Sequence, residues 1–249
     1  MVQSCGCSIE ALCHNARRDH KMRSGFFATP ASALPTGLVR VRDAALEEPV
    51  VRRARRAIAR LGTERLRQSY FITFWLVRGE SPANPVEEAV LALWRLAAPG
   101  PRCAGAEWWI GRSYTTEVPV GFHFDQDVRA ARGLRHPLLS TVFFFNHVRG
   151  GQLAVTDQRA GPGGEPRPAV AGELQVVATR RNRFAAFDGG LFHGVLDARG
   201  RTPGGRLPGP RGRLRVTLVV NFWDRRPSRV PRWRDARACR ALAPRHSAR

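Results

Sequence analysis

Hydrophobic and polar positions first follow a sustained pattern over residues 48–61, where apolar side chains recur at helical spacing and arginines occupy the opposite face. Pro49 near the start and Gly62 just past the end fit the usual asymmetry of helix termini, so the pattern predicts an amphipathic helix. Residues 85–98 open with a proline and two glutamates, which predicts a second helix. Between them, residues 69–77 are rich in aromatic and β-branched side chains, which is typical of a strand.

After residue 103 the pattern changes to short strands separated by Gly, Pro or Asp. Eight strands are predicted, at residues 107–114, 119–125, 138–146, 152–157, 173–180, 183–188, 191–196 and 214–223. Such a block is typical of a double-sheet jelly roll, and the two preceding helices are then expected to pack on one sheet from outside. The sequence therefore predicts a mainly β fold with flanking helices, a double-stranded β-helix whose N-terminal helices cover one sheet. Segments 158–172 and 199–212, rich in Gly, Pro and Arg, are predicted to be loops.

One domain is predicted, with a segment of different character at each end. Residues 1–40 have no sustained periodicity and are expected to form a loosely ordered leader. The domain spans 41–224, with a helical part over 41–100 and the jelly-roll core over 105–224. Residues 225–249 hold nine arginines and few strand formers, so an irregular or weakly helical basic tail is predicted there.

Composition excludes several classes of protein. The chain has 249 residues, of which 43% are hydrophobic and 24% charged, and this balance excludes a wholly disordered protein. No run approaches the about 18 apolar residues of a membrane-spanning helix, so no membrane partner is expected. The odd number of cysteines, five, and the lack of an apolar signal-peptide core favour reduced thiols and a cytoplasmic location, with organellar targeting by the leader left open.

A small cluster near the start, Cys5, Cys7, Cys13 and His14, brings together residue types that bind zinc. Its spacing lacks the paired knuckles of structural zinc sites, so a metal site there is not favoured.

The net charge of the chain is large, but it says little about the partner of the protein. The formal net charge is +21, and 40 of the 41 basic residues are arginine, with Lys21 the only lysine. A phosphate-binding surface ordinarily uses both cations, so this replacement of lysine in a chain rich in Ala, Gly and Pro indicates GC-rich codon usage. Residues 199–249 contain 15 arginines against Asp224 and Asp235, which concentrates the excess in the predicted loop and tail. Nucleic acid is therefore the less favoured partner, and an acidic partner of the tail stays open.

The first candidate for a metal-binding motif is Phe122-His123-Phe124-Asp125. Side chains two positions apart in a strand share a face, so His123 and Asp125 point together while the two phenylalanines point the opposite way into packing. A converging imidazole and carboxylate suit a divalent transition metal, although a surface pair or a hydrogen bond between the two explains His-x-Asp as well. Asp127 is in the same register and could support the metal ligands or contact the substrate, although a surface acid is the simpler interpretation of it.

A third metal ligand is expected from another strand that the fold brings alongside. His193 is the best candidate, because it begins a strand directly after the tight turn at Gly189 and Gly190. His136 lies in a loop before a proline, and His147 ends a strand. Two histidines and one carboxylate on one side of a metal form the facial triad, whose open positions suit Fe(II) and O2.

The last predicted strand places an arginine inside the barrel. Period-2 alternation over 214–223 puts Arg215, Thr217 and Asn221 on one face and the aliphatic side chains on the other. An arginine facing a barrel interior is costly unless an anion meets it, and a dicarboxylate would do so, with the threonine hydroxyl adding a hydrogen bond. Arg213 shares this face and is the alternative anchor, and a strand-end arginine that reaches solvent is the other interpretation.

In this order the motifs resemble the Fe(II)/2-oxoglutarate-dependent dioxygenase superfamily, over roughly residues 108–223. The pattern is most similar to its prolyl-hydroxylase-like branch, in which a tyrosine shortly before the first histidine also reaches the cosubstrate. The residues that carry the resemblance are His123-x-Asp125, Gly150-Gly151-Gln152-Leu153, Phe187 to Val195, Arg215-x-Thr217 and Tyr114. The separation of 22 positions between His193 and Arg215 exceeds the family's usual spacing, because the loop over 199–212 intervenes.

The resemblance implies an iron- and 2-oxoglutarate-dependent enzyme. The implied Fe(II) ligands, which are also the catalytic residues, are His123, Asp125 and His193, and the implied 2-oxoglutarate ligands are Arg215, Thr217 and Tyr114. The implied reaction consumes O2 and 2-oxoglutarate, releases succinate and CO2, and hydroxylates a C–H bond of a protein side chain, peptide or amino-acid-like small molecule. The alternatives are a nucleic-acid oxidative demethylase of the same superfamily and a non-catalytic metal-binding jelly roll that acts as a sensor or binding domain.

Overall fold

A computed structural model of the protein describes residues 37–62, 72–116, 121–127, 134–202 and 213–244. The predicted leader up to position 36 lies outside the described residues, and so does the Cys/His cluster at positions 5–14. Within the described ranges there are two α-helices, ten β-strands and two short 3-10 helices. None of these helices is long and apolar enough to cross a membrane.

Both helices form where the hydrophobic pattern predicts them. Helix α1 (Glu48–Ala59) buries its apolar face and exposes its arginines. Helix α2 (Pro85–Ala97) begins at Asn84, whose side-chain oxygen accepts hydrogen bonds from two backbone N–H groups at 2.9 and 3.0 Å. It ends at Ala98, which adopts the left-handed conformation with φ 45°. The two helices pack against each other and against the same side of the larger sheet.

The strands form two antiparallel sheets. They are β1 (Val39–Arg42), β2 (Phe74–Val77), β3 (Gly105–Tyr114), β4 (Leu139–Phe144), β5 (Leu153–Ala160), β6 (Pro166–Arg167), β7 (Leu174–Val177), β8 (Arg183–Asp188), β9 (Leu191–Val195) and β10 (Leu214–Trp223). The larger sheet has the order β1-β8-β4-β10-β3-β2, and in the smaller one β5 pairs with β6, β7 and β9. Two facing antiparallel sheets with helices outside one of them form the predicted jelly roll, so the predicted fold class is confirmed.

One predicted strand is wrong in the part that the structure describes. Residues 121–125, the described part of the strand predicted at 119–125, form a single bridge in which the N–H groups of His123 and His193 donate to each other's carbonyls at 2.8 and 3.0 Å. The segment cannot continue as a ladder, because the Asp125 carbonyl lies 2.8 Å from the His136 ring nitrogen Nδ1 instead of pairing with a strand.

Two further differences concern short elements. The segment 158–172, predicted as a loop, is in part a hairpin, because β5 continues to Ala160 and pairs with β6. The strand β1 was not predicted, since four residues of alternating Val and Arg are too short to give a clear pattern. The other seven strands predicted after residue 103 are present, with bounds that shift by at most three residues.

Two hydrophobic cores lie on opposite sides of the larger sheet. The outer core joins both helices to one face of β3 and β10, including Trp108, Leu218 and Phe222. The inner core lies between the sheets and joins Phe144 and Phe187 to apolar side chains of β5, β7 and β9. Period-2 alternation therefore sends every second residue of β10 into the space between the sheets, where the candidate residues are expected.

The segment after β10 packs back on the domain. Two 3-10 turns, Trp233–Asp235 and Arg240–Leu242, lie within the region predicted as a basic tail. Trp233 and Leu242 are buried in the outer core. Arg60, just after α1, donates hydrogen bonds to the carbonyls of residues 241 to 243. Residues 233–243 of this segment thus close the side of the sheet that carries the helices.

Candidate metal centre

Three predicted ligands, His123, Asp125 and His193, meet at one point between the sheets. The Nε2 atoms of His123 and His193 lie 3.5 and 3.4 Å from the two carboxylate oxygens of Asp125. One ligand atom from each residue can be chosen so that all lie within 4.8 Å of one another. These separations are close to the about 3 Å expected between neighbouring atoms that bond one divalent metal at about 2.0–2.2 Å.

Hydrogen bonds fix which ring nitrogen of each histidine faces that point. Nδ1 of His193 lies 2.9 Å from the Leu191 carbonyl, and Nδ1 of His123 lies 3.0 Å from the Gly121 carbonyl. A carbonyl only accepts, so each Nδ1 carries the proton and donates it, which leaves the Nε2 lone pair for the centre. This is the arrangement of metal-bound histidines, whose second nitrogen donates to a backbone carbonyl or a carboxylate.

Asp125 is held from two sides that the sequence did not indicate. The Ser140 hydroxyl on β4 donates to its carboxylate at 2.8 Å. The His136 ring lies 2.8 Å from its backbone carbonyl and packs edge-on against Phe124. Sequence alternation on β4 places Ser140 on the inward face, but only the register of the sheet shows that it reaches Asp125.

The charges of the three groups are strongly coupled. Burial alone would raise the pKa of Asp125, but the two imidazoles and the Ser140 hydroxyl outweigh it and hold that pKa well below its usual range. Burial lowers the pKa of His193. For His123, burial acts in the same direction, but the hydrogen bond and charge of Asp125 raise the pKa. An ionised carboxylate between two imidazoles is the charge pattern that a divalent cation favours.

Arg215 lies on the inward face of β10, as the alternation predicts, and is only 4% exposed. Its Nε donates to the Gly151 carbonyl at 2.8 Å, and its Nη1 to the Thr217 hydroxyl at 3.3 Å. The guanidinium carbon lies 5.3 Å from the centre of the Phe144 ring, in the inner core. The His193 ring is 4.8 Å from another inner-core ring, that of Phe187. Arg215 and the metal ligands therefore share the space between the sheets.

Burial and polar neighbours distinguish Arg215 from its alternative, Arg213. Arg213 is exposed. Thr217 is fully buried, and its hydroxyl also donates to the Gly111 carbonyl at 3.3 Å. Gly111 is required here, because a Cβ on it would lie 2.5 Å from that hydroxyl. The buried position and its polar neighbours single out Arg215, rather than Arg213, as the inward arginine.

Two other candidates lie elsewhere. Tyr114 pairs with Leu214 at the end of β3, one position beyond the inward pair of Ser113 and Arg215, so the register does not bring it into the inward row. Its role toward 2-oxoglutarate stays a prediction. The expectation that Asp127 is a surface acid is wrong, because it is buried and its carboxylate accepts hydrogen bonds from the backbone N–H and hydroxyl of Ser228. It ties the segment after β10 to the metal-binding segment.

Glu107 is a functional candidate that sequence reasoning missed. It lies on β3 directly across from Asn221, whose inward position the alternation had identified. The indole N–H of Trp223 donates to its carboxylate at 3.1 Å. Burial raises the pKa of Glu107 to about 7, and the charges of Asp125 and Asp127 act in the same direction. Period-2 alternation along β3 was the signal that could have identified it.

No protein-family model and no curated protein matches the chain. In structure it is similar to a Pseudomonas putida prolyl-4-hydroxylase, with 18% identity, a TM-score of 0.44, and coverage of 77% of this chain and 95% of that one. It is similar to HygX from Streptomyces hygroscopicus, solved with nickel and 2-oxoglutarate bound, with 14% identity, a TM-score of 0.46, and coverage of 80% and 85%. A third similar structure is a Trichoplax adhaerens prolyl hydroxylase in complex with a hypoxia inducible factor peptide fragment. Its identity is 10% and its TM-score 0.44, with coverage of 76% of this chain and 84% of that one. These identities and TM-scores are too low for activities to carry over, so the function of this chain rests on its own site.

Proposed function

We propose that the protein is an Fe(II)- and 2-oxoglutarate-dependent dioxygenase that hydroxylates a C–H bond of a protein side chain, a peptide or an amino-acid-like molecule. One observation carries the proposal: a buried arginine, Arg215, shares the space between the sheets with a group of two histidines and one carboxylate. A jelly roll that only binds a metal has no need of a buried inward cation, whose desolvation is costly. The combination therefore supports an enzyme over a metal-binding sensor.

The residues of the centre fit a divalent metal of the iron type. His123 and His193 offer one nitrogen lone pair each, and Asp125 offers an ionised oxygen on the same side. Without a cation, a buried carboxylate between two imidazoles needs a shared proton to offset its charge. Imidazole and carboxylate ligands together, without a thiolate, favour Fe(II) over the metals that prefer sulfur.

Arg215 fits the distal carboxylate of 2-oxoglutarate. Its side chain is held by the Gly151 carbonyl and the Thr217 hydroxyl, so the guanidinium is already oriented before an anion binds. A planar guanidinium matches a carboxylate with two parallel hydrogen bonds, and burial strengthens both. Thr217 supplies a hydroxyl on the same face.

Each side chain of the centre has a distinct task. Bound Fe(II) would supply the activation of O2 coupled to the decarboxylation of 2-oxoglutarate, which yields succinate, CO2 and a hydroxylated product. Asp125 stays ionised, and Ser140 and His136 keep its carboxylate and backbone in place. The inner-core rings of Phe144 and Phe187 lie beside Arg215 and His193 and keep bulk water from them.

Anaerobic spectroscopy tests this function directly. Wild-type protein given saturating Fe(II) and 2-oxoglutarate without O2 is expected to develop the weak visible charge-transfer band of their chelate. His123→Ala or Asp125→Ala should abolish it, because each removes one of the three ligands. His147→Ala is the matched control and should keep the band, since the His147 ring contacts the Thr179 carbonyl rather than the centre. If the wild type shows no band, the proposed function is wrong.

A further inference from the structure

Glu107 places a carboxylate inside the barrel that neither the metal nor the cosubstrate uses. It is half-buried and lies in the inward row of β3, with Asn221 across from it on β10. Asn221 is in turn paired with Ser140, the residue that holds Asp125. Glu107 therefore lies two strands from Ser140, the residue that holds Asp125, on the same face of the larger sheet.

Three tryptophans lie on the same face of the sheet as this carboxylate, on β2, β3 and β10. Trp75 on β2 is its partner across the strand pair, and Trp223 donates its indole N–H to it at 3.1 Å. Both indoles are buried in one small cluster, and Gly105 leaves the space that the Trp75 ring occupies. Trp109 lies two positions along β3 on the same face and is half-buried. A carboxylate among indoles is the combination that binds organic cations, through charge and through the faces of the rings.

Among the described residues, no cation pairs with the carboxylate of Glu107. None of the described basic side chains lies within 4 Å of its carboxylate, whose hydrogen-bond donors are the neutral side chains of Trp223 and Thr73. Its charged neighbours are acidic, namely Asp125 and Asp127. Burial raises the pKa of Glu107 to about 7, and a cation bound beside the carboxylate would favour its ionised form.

We propose that Glu107, together with Trp109 and the indoles of Trp75 and Trp223, forms a subsite for an organic cation, a protonated amine or guanidinium carried by the substrate. This inference rests on the proposed function and narrows its substrate class to molecules or side chains with a cationic group. The subsite lies on the inner face of the larger sheet, which also carries Ser140 beside Asp125, so it fixes one end of the substrate while a C–H bond elsewhere in it reaches the centre.

A pair of blocked amino acids tests the subsite, because the two differ in charge and hardly in shape. The probes are Nα-acetyl-arginine methylamide and Nα-acetyl-citrulline methylamide, added to the anaerobic Fe(II) and 2-oxoglutarate complex, with the shift of the visible band followed as a function of probe concentration. We expect the arginine probe to bind about tenfold or more tightly than the citrulline probe, because a hydrogen bond that involves charged groups contributes more than one between neutral groups.

Glu107→Gln removes the charge and keeps an acceptor for Trp223 and Thr73. This variant should retain the band and bind the two probes about equally. Glu88→Gln is the control and should behave as wild type, because Glu88 is half-buried on α2 and pairs with Arg53 on the far side of the larger sheet. Should Glu107→Gln itself lose the band, Trp109→Leu serves in its place and should weaken binding of the arginine probe alone.

Two results would overturn the subsite. One is a wild type whose band is present but that binds both probes equally or neither. The other is a Glu107→Gln variant that still prefers the arginine probe. Absence of the band from the wild type before any probe is added would instead refute the dioxygenase function on which the subsite rests.

Discussion

At the scale of single residues, burial distinguishes the two arginines that could bind 2-oxoglutarate in the proposed function. Arg213 precedes β10 and is exposed, whereas Arg215, two positions later, lies within the strand and is 4% exposed beside Phe144. A guanidinium does not lose its proton in a protein, so burying it demands acceptors and favours an anion. The Gly151 carbonyl and the Thr217 hydroxyl provide acceptors, and the anion is the cosubstrate in the proposed function.

Arg215→Ala should therefore weaken 2-oxoglutarate binding while the metal ligands remain. We expect the 2-oxoglutarate concentration at half-maximal band intensity to rise at least about tenfold, which is the effect of losing a hydrogen bond to a charged group. Titration of the visible band at saturating Fe(II) measures it. Arg213→Ala should match the wild type. If Arg213→Ala raises the required 2-oxoglutarate concentration more than Arg215→Ala does, the proposed role of Arg215 is wrong.

At the scale of elements, a tight turn connects the arginine to the smaller sheet. Gly150 and Gly151 precede β5, and both adopt positive φ angles, +82° and +68°. The Gly151 carbonyl accepts from Arg215, and a Cβ on Gly151 would lie 2.7 Å from the Arg215 Cδ. The turn must be glycine both for its backbone conformation and for the approach of the arginine.

Gly151→Ala separates these two requirements when it is compared with Gly79→Ala. Gly79 has φ +79° and nothing within 4 Å of its Cβ position, so it shares the backbone strain without the collision. Both variants should lose about 1–2 kcal/mol of unfolding free energy in urea, the cost of a left-handed alanine. Only Gly151→Ala should also raise the 2-oxoglutarate concentration needed for the visible band. Equal effects of the two variants on the band would contradict the contact with Arg215.

At the scale of the whole molecule, the larger sheet divides structural from chemical roles. Its outer side carries the helices, the outer core and the two 3-10 turns after β10, and its inner side carries Arg215 and Glu107 and faces the metal ligands. The chain as a whole is strongly basic, with a net charge of +21, but the carboxylates of Glu107 and Asp125 lie on the inner side of this sheet. The overall charge of the chain is thus a poor guide to the substrate, which in our proposal is cationic.

Trp233→Ala tests this division. Trp233 is 5% exposed in the outer core, and its indole N–H donates to the Cys239 carbonyl. Its loss should cost about 3–5 kcal/mol of unfolding free energy, as for other buried aromatic residues. The visible band should still form in the folded protein, because the centre lies on the other side of the sheet. Arg237→Ala, at an exposed position of the same segment, should stay within about 0.5 kcal/mol of wild type. A stable Trp233→Ala protein that lost the band would argue against the division.

The sequence by itself determined the helices, most strands and the faces on which residues lie. Backbone geometry sets the periods of 3.6 and 2, so local patterns sufficed to place Arg215, Thr217 and the apolar faces of α1 and β10. The pairing of segments far apart in the chain depends on packing between them, which local patterns do not contain. Only the tertiary structure therefore brought His123 to His193 by one isolated bridge, Ser140 to Asp125, and Trp75 and Trp223 to Glu107. The same register left Tyr114 out of the inward row, a position that spacing from His123 alone could not decide.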